Sequence, residues 1–490
     1  MVDAVSDKST SPHQAESTRL ARAITPRTDR HPDESGIHPL GDGLDAFAAR
    51  YLLLSMAEES IDVQYYIWQN DMSGRLLFSA LLEAAQRGVR VRMLLDDNNT
   101  MGLDETLCEL NRHPNIQIRL FNPFSFRFLR ALGYLTDFAR LNRRMHNKSF
   151  TVDGVVTIVG GRNIGDEYFG TGDEPLFSDL DVLAVGPVVR EVTQDFERYW
   201  QSRAVSPLNA VIDPNPDDPQ AAVRLPEAWR DSIQVQHYLQ RLKASSYVAQ
   251  LESGKLTLVW AQARLLSDDP RKGLGKAKTS TLLPQRLLEV IGRPQQQFDI
   301  ISAYFVPTRA GVAQLLSLVR SGVEIAILTN SLAANDVSVV HAGYAKWRKK
   351  LLRHGIRLYE MKPQNDNREA PHDRGLTGNS GSSLHAKTFS VDNQQVFIGS
   401  FNFDPRSAVL NTEMGFVIKS ETLATSVHQR FVEQMRSRAW ALRLDKWGRV
   451  NWVEYPGEPE EIVHKHEPRT RFMQRLLVRL VWRLPVEWLL

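Results

Sequence analysis

Apolar positions along this chain change period in a repeating order. LDAFAARYLLLSMAEES, from residue 44, has helical spacing and precedes a β-branched and aromatic run, IDVQYYIW at 61–68. GRLLFSALLEAAQRG then leads into GVRVRMLLDD, so helix and strand patterns alternate as they do in βαβ units over a parallel or mixed sheet. The order returns later: FDIISAYFVP at 298 answers IDVQYYIW, GVEIAILTNS at 322 answers GVRVRMLLDD, and IRLYEM at 356 answers IQIRLF at 116. These offsets are 237, 234 and 240 residues, a period that fits a duplicated domain and is too long for a solenoid repeat.

The pattern predicts two α/β domains, at 39–205 and 286–445, separated by a linker and insertion at 206–285 that opens with Pro/Asp-rich SPLNAVIDPNPDDPQAAVRLPEAW. Residues 1–38 are polar and aperiodic and predict a mostly disordered segment, and 446–490 form a tail. The length of 490 residues suffices for more than one core. A net charge of +3 gives no reason to expect a nucleic-acid partner. Cys108 is the single cysteine, which excludes an internal disulfide and a cysteine metal site. No apolar run reaches the ~18–20 residues that span a bilayer, and the polar N-terminus lacks a signal-peptide core. Composition therefore predicts a soluble, intracellular protein and leaves its substrate open.

Chemistry is concentrated in one motif that occurs twice. MHNKSFTVDGVVTIVGGRN contains His146, Lys148, Asp153, Gly161 and Asn163; LHAKTFSVDNQQVFIGSFN contains His385, Lys387, Asp392, Ser400 and Asn402 at the same spacing. The His-to-His offset of 239 keeps step with the strands. In His-x-Lys on an extended segment both side chains leave the same face. An imidazole beside an ammonium suits an anionic substrate, since one attacks or protonates while the other neutralises charge. The Gly-Gly or Gly-Ser pair admits close backbone approach, and each Asn adds a neutral donor. Nothing in the set resembles a metal cage; it outlines a phosphodiester pocket with one His on each side of phosphorus. Asp153 and Asp392 each precede a turn, so a structural role competes with direct chemistry there.

This double HxKx4Dx6G(G/S)xN signature resembles the phospholipase D superfamily over residues 43 to 445, and within it the bacterial cardiolipin synthases, through DAFAARY, DVQYYIW, RMHNKSFTVDG, GGRNIGDEYFG, SAYFVPTR, LHAKTFSVD and NFDPRS. The resemblance implies two phospholipase D-like α/β domains, each a mixed sheet flanked by helices, related by a pseudo-two-fold axis and sharing one active site. It implies no metal and no organic cofactor. His146 would be the nucleophile that forms a phosphohistidine and His385 the general acid and base, with the reverse assignment open. Lys148, Lys387, Asn163 and Asn402 would hold the phosphoryl oxygens. The family pairs each His with a carboxylate on a later strand, which implies Asp181 and Glu413 across the halves, with Asp179 competing for the place of Asp181.

Such an intermediate can be released by water or by an alcohol, and the motif does not separate the two. Membrane features favour a lipid acceptor. Residues 121–144 carry five Phe and five Arg, either core with solvated charges or a rim set in lipid. In the tail, Arg471, Arg475, Arg479 and Arg483 form a stripe opposite Met473, Leu476, Leu477, Leu480, Val481 and Leu484. We expect this basic amphipathic helix to anchor on anionic lipid, with docking on the protein's own core as the competing reading. The resemblance then implies phosphatidylglycerol as acceptor, phosphatidylethanolamine or phosphatidylglycerol as donor, and a peripheral place on the cytoplasmic face of the bacterial inner membrane. A helper protein, a hydrolytic phospholipase or nuclease activity, and a non-catalytic scaffold stay open.

Overall fold

The structure is a computed structural model and describes residues 17–125, 127, 129–170, 178–212, 231–335, 338–363 and 384–481. The first half contains β1 (Ser35–Leu40), β2 (Ser60–Tyr65), β3 (Arg90–Asp96), β4 (Ile116–Phe121), β5 (Ser149–Val152), β6 (Val156–Gly160), β7 (Asp181–Val185) and β8 (Val205–Pro207). After β9 (Val259–Ser267), the second half adds β10 (Gln297–Ser302), β11 (Glu324–Asn330), β12 (Arg357–Met361), β13 (Lys387–Val391), β14 (Gln395–Gly399) and β15 (Met414–Lys419). Three further strands follow, β16 (Ala439–Leu444), β17 (Val450–Glu454) and β18 (Ile462–His464).

Both halves use one topology. β4, β3 and β2 lie parallel, and β5, β6 and β7 continue antiparallel from β2. β12, β11, β10, β13, β14 and β15 repeat that order and sense, with Ile61 opposite Val152 in one half and Phe298 opposite Val391 in the other. The crossover helices begin alike: the Asp71 side chain accepts from Gly74 N to cap Met72–Gln86, and Thr308 accepts from Gly311 N to cap Arg309–Arg320. Each sheet has its own apolar core, and a further cluster joins Ile37, Val159 and Val182 to Ile398, Met414 and Phe416 at the seam between the halves.

The N-terminal segment departs from the expectation of disorder. Residues 1–16 lie outside the described part, but Arg19–Thr28 is a helix capped by Thr18, with Leu20 and Ala21 buried. β1 lies between β7 and β9, with Ile37 fully buried. A six-residue strand containing Gly36 and Pro39 is too short to show a period, and only the neighbouring strands make it one.

The linker expectation is corrected in the same way. β9 pairs with β1 through Val259–Ala261 and with β15 through Gln262–Ser267, so one strand belongs to both sheets. Replacing Ile37 by Ala should therefore cost about 2–5 kcal/mol, read as a lower midpoint in urea unfolding of the full chain.

Candidate active site

The motif histidines lie at the seam. Backbone bridges join Met145 to Thr412 and Ser178 to Leu384, so the residue preceding each His pairs with the residue preceding a carboxylate of the other half. His146 N donates to Thr412 O at 2.9 Å, and His385 N donates to Ser178 O at 2.9 Å. In consequence His146 Nδ1 donates to Glu413 at 2.8 Å and His385 Nδ1 to Asp179 at 2.6 Å. Both carboxylates are fully or nearly fully buried. With Nδ1 donating, each ring keeps an unprotonated Nε2 in its neutral form.

Lysines complete the constellation. Lys148 Nζ donates to His146 O at 2.7 Å, and Lys387 Nζ donates to His385 O and lies 3.0 Å from His385 Nδ1. Burial and the two nearby ammonium groups push His146 well below its ordinary range and His385 down to about 3. Burial and Lys387 lower Lys148 to about 7. The carboxylates differ: although burial opposes it, the His385 hydrogen bond and charge and the charges of Lys387 and Arg162 hold Asp179 well below the usual range, whereas burial raises Glu413 to about 7. The site gathers cationic and neutral donors under electrostatic stress that an anion would relieve.

The partner of His385 is Asp179, which corrects the expectation of Asp181. Asp181 instead receives Arg50 Nη2 at 2.8 Å and Arg162 N at 3.1 Å. Internal register carries the signal that singles out Asp179. Gly160 faces Asp181 and Gly399 faces Gly415, so Asp181 matches a glycine of the second copy and Asp179 matches Glu413. A Cβ on Gly161 would lie 2.2 Å from Asp179 Oδ1, so this glycine makes room for the carboxylate. Its counterpart Ser400 acts differently, through a hydroxyl that donates to Glu413.

Asp153 and Asp392 stand apart from the histidines, seven residues along an extended segment or roughly 20 Å away. Asp153 accepts from the amides of Glu58, Glu59 and Ser60, and Asp392 from those of Gln295, Gln296 and Gln297. Both sit at φ 53°, where they turn β5 into β6 and β13 into β14 and hold the starts of β2 and β10. Of the two roles open to Asp153 and Asp392, these contacts support the structural one.

The asparagines tie the motif to its own half. Asn163 Oδ1 accepts from Ile67 N at 3.3 Å while its Nδ2 donates to Tyr168 OH at 2.9 Å, and Asn402 Oδ1 accepts from Tyr304 N at 3.4 Å. Two aromatic neighbours carry no signal in the motif: Tyr66 meets the His146 ring edge-on at 4.9 Å and Tyr168 meets His385 at 5.1 Å. Among the described residues no cluster of His, Cys, Asp and Glu could hold a metal ion.

The Arg/Phe segment is mostly spoken for. Arg144 is buried on Asp96, Arg127 pairs with Asp97 and Asp104, and Arg140 pairs with Asp137 at 2.6 Å. Phe121 and Phe124 are core, and Phe126 and Phe128 lie outside the described residues. What reaches solvent here is Leu129, Leu132, Leu135 and Phe138.

In the tail, Phe472–Val481 is a helix; Arg483 and Leu484 lie outside the described residues. Val478 and Val481 dock it against Leu332, Val340 and Ala342. At 100° per residue the opposite side carries Phe472, Met473, Leu476 and Leu480, which with Leu477 are 37–68% exposed. Docking on the protein's own core and an outward apolar face thus coexist, and the expectation that Val481 belongs to the outward face is corrected. No described helix is long and apolar enough to cross a membrane.

Two α/β repeats that close on one paired His-Lys site define a protein of the phospholipase D superfamily. The family model described as "Cardiolipin synthase, PLD-like domain" matches residues 52–200 and 287–436, and the chain belongs to that family. It is 64% identical to cardiolipin synthase C of Escherichia coli (strain K12) over 472 residues, which is 96% of this chain and all of that protein. It is also 28% identical to cardiolipin synthase A of Pseudomonas syringae pv. syringae (strain B728a), over 76% of this chain and 63% of that protein. Among solved structures, phosphatidylserine synthase of Haemophilus influenzae Rd KW20 shares the fold with a TM-score of 0.59 at 15% identity, over 95% of this chain and 98% of that one.

Asp179→Asn should lower turnover by ~10²–10⁴-fold through loss of the orienting carboxylate. Asp181→Asn should instead destabilise by about 3–5 kcal/mol, because Arg50 would be left unpaired in the interior. Turnover normalised to folded protein, with urea unfolding alongside, separates the two.

Proposed function

We propose that the chain makes cardiolipin by phosphatidyl transfer through a phosphohistidine. The observation that carries this reading is the pair of buried imidazoles, each held at Nδ1 by a carboxylate from the opposite half and flanked by a lysine. Identity of 64% with cardiolipin synthase C over 96% of the chain supports the choice of lipid substrates.

In the first half-reaction His146 Nε2 attacks phosphorus of a donor phospholipid. The phosphorus–oxygen bond to the head group breaks, and His385 gives the departing alkoxide its proton. In the second, His385 takes the proton of a phosphatidylglycerol hydroxyl, whose oxygen attacks phosphorus and displaces His146; cardiolipin leaves and the free imidazole is restored. Burial and Lys387 hold His385 neutral, so it takes up the proton a general acid needs only as the substrate anion offsets the lysine charges, and ionised Asp179 favours the imidazolium so formed. Glu413, raised to about 7, favours it less on His146, which suits a nucleophile that must stay neutral. Lys148 and Lys387 would neutralise the phosphoryl oxygens, each charge-assisted bond being worth ~1.5–3 kcal/mol. The donor is phosphatidylethanolamine or phosphatidylglycerol.

His146→Ala and His385→Ala should each abolish cardiolipin formation from labelled phosphatidylglycerol. Acid quenching of the unaltered chain during turnover should trap label on protein as an acid-labile phosphohistidine, and the His146 variant should trap none. Phosphatidic acid as sole product of the unaltered chain would make it a hydrolase.

The outward apolar row of the tail helix, with Arg479 at its edge, fits peripheral attachment to an anionic membrane on the cytoplasmic face. Leu476→Glu together with Leu480→Glu changes exposed positions and leaves the Val478 contact in place. The pair should move the protein from vesicle pellet to supernatant in sedimentation with phosphatidylglycerol vesicles, with an unchanged unfolding midpoint.

A further inference from the structure

The two orienting carboxylates are supported by different cations. Behind Asp179 stands Arg162, whose guanidinium donates to Asp179 O at 2.8 Å and also to Leu40 O and Gly41 O. Arg162 is the variable residue of its Gly-Gly-x-Asn motif, and the second copy has Phe401 there, buried in the apolar core. Glu413 therefore lacks the cation that its own repeat would have supplied.

A substitute comes from outside both repeats. Asp268 and Lys272 follow β9, are buried to within 1% exposure, and pair at 2.8 Å. Asp268 Oδ2 also accepts from Glu413 N at 2.9 Å, Asp268 N donates to Glu413 O at 2.9 Å, and Asp268 Oδ1 accepts from Leu283 N at 2.7 Å. Lys272 Nζ donates in turn to Ser407 O at 2.9 Å. The N–H and the C=O of Glu413 are thus both gripped by one residue of the joining segment.

We infer that Asp268 and Lys272 are positioning residues for the reaction: Asp268 clamps the Glu413 backbone, Lys272 places a buried positive charge behind its carboxylate, and together they set the state of His146. This deepens the proposed function and rests on it. The groups facing Glu413 are His146 and Lys148 from the first motif, Ser400, Asp404 and Ser407 from the segment after β14, and Lys272. Lys148 and Lys272 favour its ionised form, while burial and Asp404 oppose it. Glu413 must be ionised to stabilise the cationic phosphohistidine, so activity falls on the acid side as it takes up a proton. Removing the Lys272 charge raises Glu413 further and moves that limb to higher pH.

The test is the pH profile of kcat/KM for head-group release by the full chain on mixed phosphatidylglycerol and phosphatidylethanolamine vesicles, a signal common to transfer and hydrolysis. Lys272→Met should shift the acid limb upward by about one pH unit, with activity at pH 7 about fivefold lower and recovered in alkaline buffer. Lys272→Arg should restore the limb. If Lys272→Met fails to fold because Asp268 is left unpaired, Lys272→Gln, which removes the charge but keeps a donor for Asp268 and Ser407 O, should shift the limb in the same direction. An unmoved limb, with activity lost only in proportion to the folded fraction, would overturn the inference. Phosphatidic acid as sole product would overturn the transferase reading and leave the limb shift readable.

Discussion

Everything in this molecule depends on two hydrogen bonds that cross between its halves, His146 to Glu413 and His385 to Asp179. A buried imidazole beside two ammonium groups has no tautomer or orientation of its own choosing; a carboxylate at Nδ1 imposes both. Neither half contains the carboxylate for its own histidine, so neither half alone is an active site. The two sheets must be held in register to a fraction of an ångström. β9, shared between them, and the two backbone bridges at the seam provide that constraint.

The pocket's electrostatics follow from burying like charges together. Burial and the two lysines lower both histidines, and burial and Lys387 lower Lys148 as well, a cost the fold offsets through the surrounding carboxylates. A phosphodiester anion would enter a field already oriented toward it, so little reorganisation remains for the reaction itself. Symmetry is broken where the two steps differ: one orienting carboxylate is firmly ionised, the other is raised to about 7, and both ring walls, Tyr66 and Tyr168, come from the first half.

The surface follows the same division between committed and free side chains. Most arginines of segment 121–144 are committed to aspartates, which leaves Leu129, Leu132, Leu135 and Phe138 as its outward contribution. The tail helix is held by a narrow valine seam and turns its larger side chains away from the protein. Such an arrangement suits a substrate that never leaves a bilayer, since it orients the protein without a spanning segment.

Local residue patterns determined the duplication, the α/β class and both His-Lys pairs, because helix and strand periods and fixed motif spacing are properties of neighbours along the chain, whereas Glu413 was implied by the family resemblance. Asp153 and Asp392 were visible as turn residues, but only their amide partners at β2 and β10 separate them from the chemistry. The choice of Asp179 over Asp181 turns on a two-residue register against Gly160, and both positions open the same short apolar run. β1 and β9 carry too little apolar period to declare themselves; pairing with strands far away in sequence makes them strands. Whether the tail helix docks or faces outward was likewise a tertiary matter, since one amphipathic sequence can satisfy two faces at once. Contacts between distant segments decide register, partner and exposure, and their energies depend on distances that no local pattern encodes.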